Sequence, residues 1–325
     1  MKKEDLRIVF FGTPEFAVES LSKLVDGEYN VVAAVTMPDK PAGRGHKLYQ
    51  SPVKEYALAH NIPLLQPVRL KDEAFLEELR SFNANLFIVI AFRMLPEAVW
   101  QMPELGTFNL HASLLPRYRG AAPINWAVMN GDKETGVTTF FLKHEIDTGD
   151  IIAQERIDIA DSDNVGDVHD KLMVLGANLT LNTVEHIIAG DLTPVPQEQL
   201  LNGEEATPAP KIFKDTCHID WNRTAEAIRN HVRGLSPYPA AWCEIADATD
   251  AEAPATVIKV FATALNTTLT DDAPGTLSTD SGRMTVACGD GFLLEIMELQ
   301  PAGKRRMSAA EFLRGAHLPQ HPILR

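Results

Sequence analysis

The sequence predicts an α/β domain built on a mainly parallel sheet, followed by a small β-barrel domain. Three observations carry this expectation. Strand-like runs alternate with helical stretches through the first half of the chain, short β-type segments with turn signals fill the last third, and a proline-bearing acidic stretch lies between them. A length of 325 residues also favours two domains over one core.

The elements follow in order. Residues 7–11, 31–35 and 86–92 are rich in β-branched and aromatic side chains and read as strands. Between them a helix starts near Pro14 and carries Phe16, Leu21 and Leu24. A second helix opens with Ser51-Pro52, a cap residue followed by proline at the first helical position. A third covers residues 72–82. Strand–helix–strand order with short connections implies a parallel sheet covered on both faces. Residues 106–111 form a short strand, and a Pro- and Gly-bearing loop follows at 113–123. Next come a helix at 124–130, strands at 137–143 and 151–157, and a long amphipathic helix at 164–189 with Val168, Leu172, Leu175 and Leu179 at helical spacing. Residues 190–211 hold Pro194, Pro196, Pro208 and Pro210 among acidic residues, the composition of a linker. The division is therefore residues 1–190, a linker at 191–210, and residues 211–325. In the last part a helix at 224–233 precedes strands at 256–262, 284–287 and 292–298, a pattern that suits a small barrel.

Composition bounds the class. Apolar residues make up 45% and charged residues 23%, which is globular rather than disordered. No run approaches the roughly 20 apolar residues of a membrane span. The two early lysines and the apolar run at residues 8–11 resemble a signal peptide, but the run is too short and ends in Gly12-Thr13-Pro14-Glu15. Cys217, Cys243 and Cys288 are odd in number and widely spaced, which fits reduced thiols in a cytoplasmic protein better than disulfides or zinc. The net charge of −14 runs against a polyanionic partner, but its distribution is uneven. Residues 206–325 carry 12 Lys and Arg against 14 Asp and Glu. A basic island of Lys40, Arg44, Lys47 and Lys54 faces Asp39 alone, so local RNA contacts are permitted.

Gly12-Thr13-Pro14 occupies the place of a phosphate-binding turn, but G-x-G-x-x-G is absent, so a tight structural turn is expected and a dinucleotide enzyme is disfavoured. Asn109-Leu110-His111 is more informative. Side chains two apart on a strand share a face, so Asn109 and His111 project together while Leu110 points into the opposite layer. They end a strand just before a loop, where open α/β sheets bind ligands. An amide donor beside an imidazole suits oxyanion stabilisation with proton transfer, while a buried hydrogen-bonded pair is the plain alternative. The turn His144-Glu145-Ile146-Asp147-Thr148-Gly149-Asp150 gathers acids, and a carboxylate near His111 would favour the imidazolium. No calcium-loop spacing is present, so no metal is expected.

Residues 109–116, Asn-Leu-His-Ala-Ser-Leu-Leu-Pro, with Arg119-Gly120-Ala121-Ala122-Pro123-Ile124 and Asp147-Thr148-Gly149-Asp150, resemble the signature of the folate-dependent formyltransferases. Those motifs alone leave several acceptors open. Three further features are similar to the methionyl-tRNA branch of that family. They are residues 38–45 with Ser51-Pro52-Val53-Lys54, residues 221–240 around Arg233-Gly234, and the ending from Leu299-Gln300-Pro301-Ala302-Gly303-Lys304 to Phe312-Leu313-Arg314-Gly315. The resemblance implies a Rossmann-like formyltransferase fold followed by an OB-like, tRNA-binding barrel. It implies 10-formyltetrahydrofolate as formyl donor and methionyl initiator tRNA as acceptor. Asn109, His111 and Asp147 would be the catalytic trio. Ser113, Leu114, Leu115 and Pro116 would line the tetrahydrofolate site, and Arg44 would touch the tRNA. A monomeric cytoplasmic enzyme without metal or membrane segment is expected. The chain departs from the family pattern at Phe92-Arg93, commonly Tyr-Gly, and in residues 142–146 before Asp147, where an Asp and a Gly are usual.

Overall fold

The structure, a computed structural model, describes residues 1–42, 47–201, 205–250 and 252–325, the side chains at 41, 42 and 47 excepted. It divides into two compact units. One comprises Met1–Gly120, Glu134–Ile157 and His169–Ala209, and the other Ala121–Lys133, Asp158–Val168 and Pro210–Arg325.

The chain begins with β1 (Ile8–Gly12), α1 (Glu15–Asp26), β2 (Val31–Val35), β3 (Lys40–Ala42), β4 (Lys47–Tyr49), α2 (Pro52–Ala59), β5 (Leu64–Leu65) and α3 (Glu73–Ser81). It continues with β6 (Leu86–Ile90), α4 (Glu97–Trp100), β7 (Thr107–His111), β8 (Arg119–Gly120), α5 (Pro123–Met129), β9 (Glu134–Phe141), β10 (Ile151–Asp158), α6 (Val165–Ala189) and β11 (Pro208–Ala209). Seven strands form the main sheet in the order β10-β9-β7-β6-β1-β2-β5. The pairs β1/β2, β1/β6, β2/β5 and β6/β7 are parallel, whereas β7/β9 is antiparallel. This is the Rossmann-like, mainly parallel sheet the sequence predicts. The order reverses between β1 and β6, so the crevice typical of open α/β sheets lies at their carboxyl ends.

Every residue of β1 and β6 is buried, as continuous apolar runs require when both faces are covered. Val9, Phe11, Phe87 and Val89 share one face and pack with Phe75, Leu76 and Leu79 of α3 and Val99 of α4. Register carries that face onto β7, because Phe11 pairs with Val89 and Val89 with Asn109. Leu110 belongs to the other face and lies against Gly176 of α6. By length and composition alone α6 is apolar enough to cross a membrane, but here it is a covering helix of the sheet. The cap read from sequence forms, since Ser51 accepts from the Lys54 N–H, and in the structure Asp72 also caps α3 by accepting the Ala74 N–H. The strand expected at 86–92 stops at Ile90, because Ala91 takes a left-handed conformation (φ +48°) that a strand cannot continue through.

The second unit holds α7 (Ala225–Leu235), β12 (Ala241–Asp247), β13 (Thr256–Leu269), β14 (Leu277–Ser278), β15 (Met284–Ala287), β16 (Phe292–Pro301), β17 (Met307–Ser308), α8 (Ala309–Leu313) and β18 (Pro322–Leu324). Its strands run β14-β15-β16-β13-β12-β18 with antiparallel neighbours. The bridge Thr276–Ile323 brings the two edges together, so the sheet is a nearly closed barrel. Closure needs glycine at 275 (φ +87°), because a Cβ there would sit 2.5 Å from the Leu324 carbonyl oxygen. Ala225, Ile228, Val232 and Leu235 fill the barrel core from α7 at helical spacing. The strand expected at 256–262 runs on to Leu269, because Leu265 pairs with Leu294 and Leu269 with Phe292, and the strand expected at 292–298 runs on to Pro301, which pairs with Ile258.

Candidate active site

Three segments of the first unit meet at the carboxyl end of β7. The first is the strand itself, where Thr107, Asn109 and His111 alternate on one face. Asn109 is half-buried, and its amide has no hydrogen-bond partner among the described residues. His111 is buried, with its ring edge-on to Phe140 of β9. Its Nε2 lies 2.9 Å from the Tyr118 carbonyl oxygen. A carbonyl can only accept, so Nε2 carries a proton and donates it there. Nδ1 is left facing Asp147, whose Oδ2 is 3.8 Å away.

The second segment is the acidic turn between β9 and β10. Asp147 is in the left-handed region (φ +55°), which aspartate tolerates better than most residues. Its side chain is 12% exposed, and Oδ2 accepts the Gly120 N–H at 3.0 Å. The turn doubles back closely enough that Gly149 could not bear a side chain, since a Cβ would lie 1.6 Å from the Phe141 carbonyl oxygen. Lys143 pairs with Asp150 at 2.7 Å, so that acid is occupied at the rim while Asp147 points inward. His144, Glu145 and Ile146 are exposed.

The third is the loop after β7. Ser113, Leu114, Leu115 and Pro116 are all buried. The Ser113 hydroxyl donates to the Arg117 carbonyl oxygen at 2.7 Å. Thr138 Oγ1 donates to the Ser113 carbonyl oxygen and accepts the Leu115 N–H, and Gln154 donates to the Leu115 carbonyl oxygen. These bonds hold the loop from beneath. A cleft of about 500 Å³ opens at the foot of β7, lined by Trp100, Leu105, Thr107, Phe141 and Leu142 among others. Thr107 is one strand repeat below Asn109, roughly 6.7 Å along the same face.

The structure thus brings Asn109, His111 and Asp147 together and sets residues 113–116 beside them. Arg44 lies outside the described residues. Within its basic island Lys54 is committed internally, 2.5 Å from Asp39, and Gln66 donates to the other oxygen of that carboxylate. Those two bonds hold the Asp39 carboxyl below its usual range. At the departure site, Phe92 packs edge-on against Phe11, and Arg93 donates to the Pro67 and Val68 carbonyl oxygens. One buried residue was not singled out from the sequence. Gln197 bonds to both Arg119 and the acidic turn, and a glutamine in a proline-bearing stretch gives no signal of such a role. Among the described residues no group of three or more His, Cys, Asp or Glu side chains could hold a metal ion.

Residues 6–184 match the formyl transferase family and residues 211–317 match the formyl transferase C-terminal domain. The methionyl-tRNA formyltransferase of Bacteroides fragilis is 59% identical over 321 residues, covering 98% of each chain. That of Phocaeicola vulgatus is 60% identical over 320 residues, 97% of each chain. That of Flavobacterium johnsoniae is 49% identical over 312 residues, 96% of each. Among solved structures, the sugar 3N-formyl transferase WlaRD, determined with dTDP and 5-N-formyl-THF, superposes with a TM-score of 0.64 at 19% identity, covering 92% of this chain and 99% of that one. HypX from Aquifex aeolicus in complex with tetrahydrofolic acid gives 0.62 at 18% identity, covering 97% and 48%. At these identities the structural likeness speaks for the fold alone.

Proposed function

The chain belongs to the methionyl-tRNA formyltransferase family, and we propose that Asn109, His111 and Asp147 carry its chemistry. The reaction moves the formyl group of 10-formyltetrahydrofolate to the α-amino group of methionyl initiator tRNA. The neutral amine attacks the formyl carbon. A free α-amino group has a pKa of about 8, so an appreciable share is nucleophilic near neutrality. As the new C–N bond forms, negative charge collects on the formyl oxygen. Asn109, with an uncommitted amide on the strand face, donates to that oxyanion. His111 Nδ1 takes the proton released by the amine and returns it to the folate nitrogen, which leaves as its bond to the carbonyl carbon breaks. With Nε2–H held by the Tyr118 carbonyl oxygen, Nδ1 is the free position, and Asp147 balances the imidazolium that forms.

The observation that carries this reading is the convergence of the unpartnered Asn109 amide, His111 Nδ1 and the Asp147 carboxylate at one strand end. The donor's ring system enters the cleft at Thr107, Trp100 and Phe141, one strand repeat from Asn109, and the folate site extends past Asn109 to residues 113–116 beyond the carboxyl end of β7. Arg44 and the barrel contact the tRNA, and the enzyme works as a cytoplasmic monomer. The test is formyl transfer by the purified protein from 10-formyltetrahydrofolate to methionyl initiator tRNA, with methionyl elongator tRNA alongside. Strong preference for the initiator supports the acceptor assignment. Transfer to neither tRNA, with folate still bound, would move the acceptor to a small amine.

A further inference from the structure

Gln197 lies in the proline-bearing stretch after α6, two residues beyond the bridge that pairs Val195 with Ile151. Its side chain is wholly buried, and every bonding position of its amide is filled. Nε2 donates to the Asp147 carbonyl oxygen at 2.9 Å and to that of Gly149 at 2.8 Å. Oε1 accepts from Arg119 Nε at 3.0 Å and Nη2 at 2.7 Å. Arg119 immediately precedes Gly120, whose N–H meets the Asp147 carboxylate. One amide therefore holds both the turn that carries Asp147 and the strand that receives its side chain. A fully satisfied buried network of this kind admits one arrangement and penalises others. The turn needs such support, because Asp147 is left-handed.

We infer that Gln197 is a positioning residue that fixes Asp147 against His111. The inference rests on the catalytic assignment of Asp147 made above. It predicts that loss of the amide is felt in turnover rather than in substrate binding.

Two variants of the full-length enzyme test it. Gln197→Leu removes all four bonds. Gln197→Glu keeps an oxygen for Arg119 but turns a second oxygen, in place of the two donated bonds, toward two carbonyls. Both are expected to fold by thermal unfolding and to lose kcat by about 10- to 100-fold, since a 1 Å misplacement can cost that much. KM for the folate and for the tRNA stays near the parent value, and the pH profile of kcat shifts. In an Asp147→Asn background, adding Gln197→Leu should cost no more than about twofold, because the group being positioned is already gone. If Gln197→Leu fails to fold, Gln197→Glu decides. Parental kcat and pH profile in a folded variant would overturn the inference, as would losses that multiply in the double variant. Parental turnover in Asp147→Asn alone would instead remove the assignment of Asp147, and the inference with it.

Discussion

Replacing Gly149 by alanine tests the acidic turn with a single carbon. The new methyl group would lie 1.6 Å from the Phe141 carbonyl oxygen and 2.8 Å from its carbon. A carbon–oxygen contact is comfortable at about 3.3 Å, so the turn must retreat by about 1.7 Å. Phe141 cannot give way in its place, because its own N–H is bonded to the Asp150 carbonyl oxygen at 3.1 Å and it closes strand β9. The displacement passes to Thr148 and Asp147. Asp147 Oδ2 is already 3.8 Å from His111, and a further shift on this scale would break its bond to the Gly120 N–H. Misplacement by about 1 Å can cost 10²-fold in rate, so kcat should fall by about 10² or more. Overpacking typically costs about 1–3 kcal/mol, so a modest fall in Tm should accompany it. Single-turnover formyl transfer at saturating substrates, with thermal unfolding of the same preparation, measures both. A folded Gly149→Ala enzyme with the parent rate would refute the claim that the turn's position matters to catalysis.

Asn109→Ala and His111→Ala should each lower kcat by about 10²–10³ with folding intact, the cost of losing an oxyanion donor elsewhere, and near-normal turnover in either removes that residue from the mechanism. His231 bears on stability instead. Burial, with Arg223 adding to it, pushes its imidazole down from 6.5 to about 4. The unfolded chain takes up that proton near pH 6.5 and the folded one only near pH 4, so the contribution is whole above 6.5 and is lost as pH falls through this window. The drop is worth about 3 kcal/mol, and urea midpoints from pH 7 to 4.5 should decline less steeply in His231→Leu than in the parent. Parallel profiles would show that His231 does not contribute. Cys217, Cys243 and Cys288 are buried free thiols whose ionisation burial pushes up, Cys288 to about 12. An aromatic disulfide reagent at pH 8 should leave the native protein untouched and label it only in denaturant; rapid native labelling would contradict this.

Local pattern carried much of the fold. Fully apolar runs such as residues 8–11 can be little but covered strands, and Ser51-Pro52 announces a helix start through its capping hydroxyl and fixed proline φ. Asn109 and His111 were legible as a pair because strand periodicity alone puts them on one face. Their nearness to Asp147 was not, since it depends on a turn folding back over the sheet. Lys54 reads as a free cation in the sequence and is tied to Asp39 in the fold. The Ser113 hydroxyl reads as a ligand contact, yet it bonds to the Arg117 carbonyl oxygen in its own loop. The short strands β14, β17 and β18 left no signal above their surroundings, because two or three residues owe their form to neighbours supplied by other strands.

The span of the Gln197 bonds has a bearing on how the molecule is made. They close loops of 50 residues to Asp147, 48 to Gly149 and 78 to Arg119. A chain still emerging from the ribosome can lay down β7 and the acidic turn long before the amide that secures them exists. Closing such loops costs entropy that local contacts do not refund, so the turn is among the last features of the first unit to settle. The acidic turn would then take its final place only with residue 197, after every strand of the main sheet has been made.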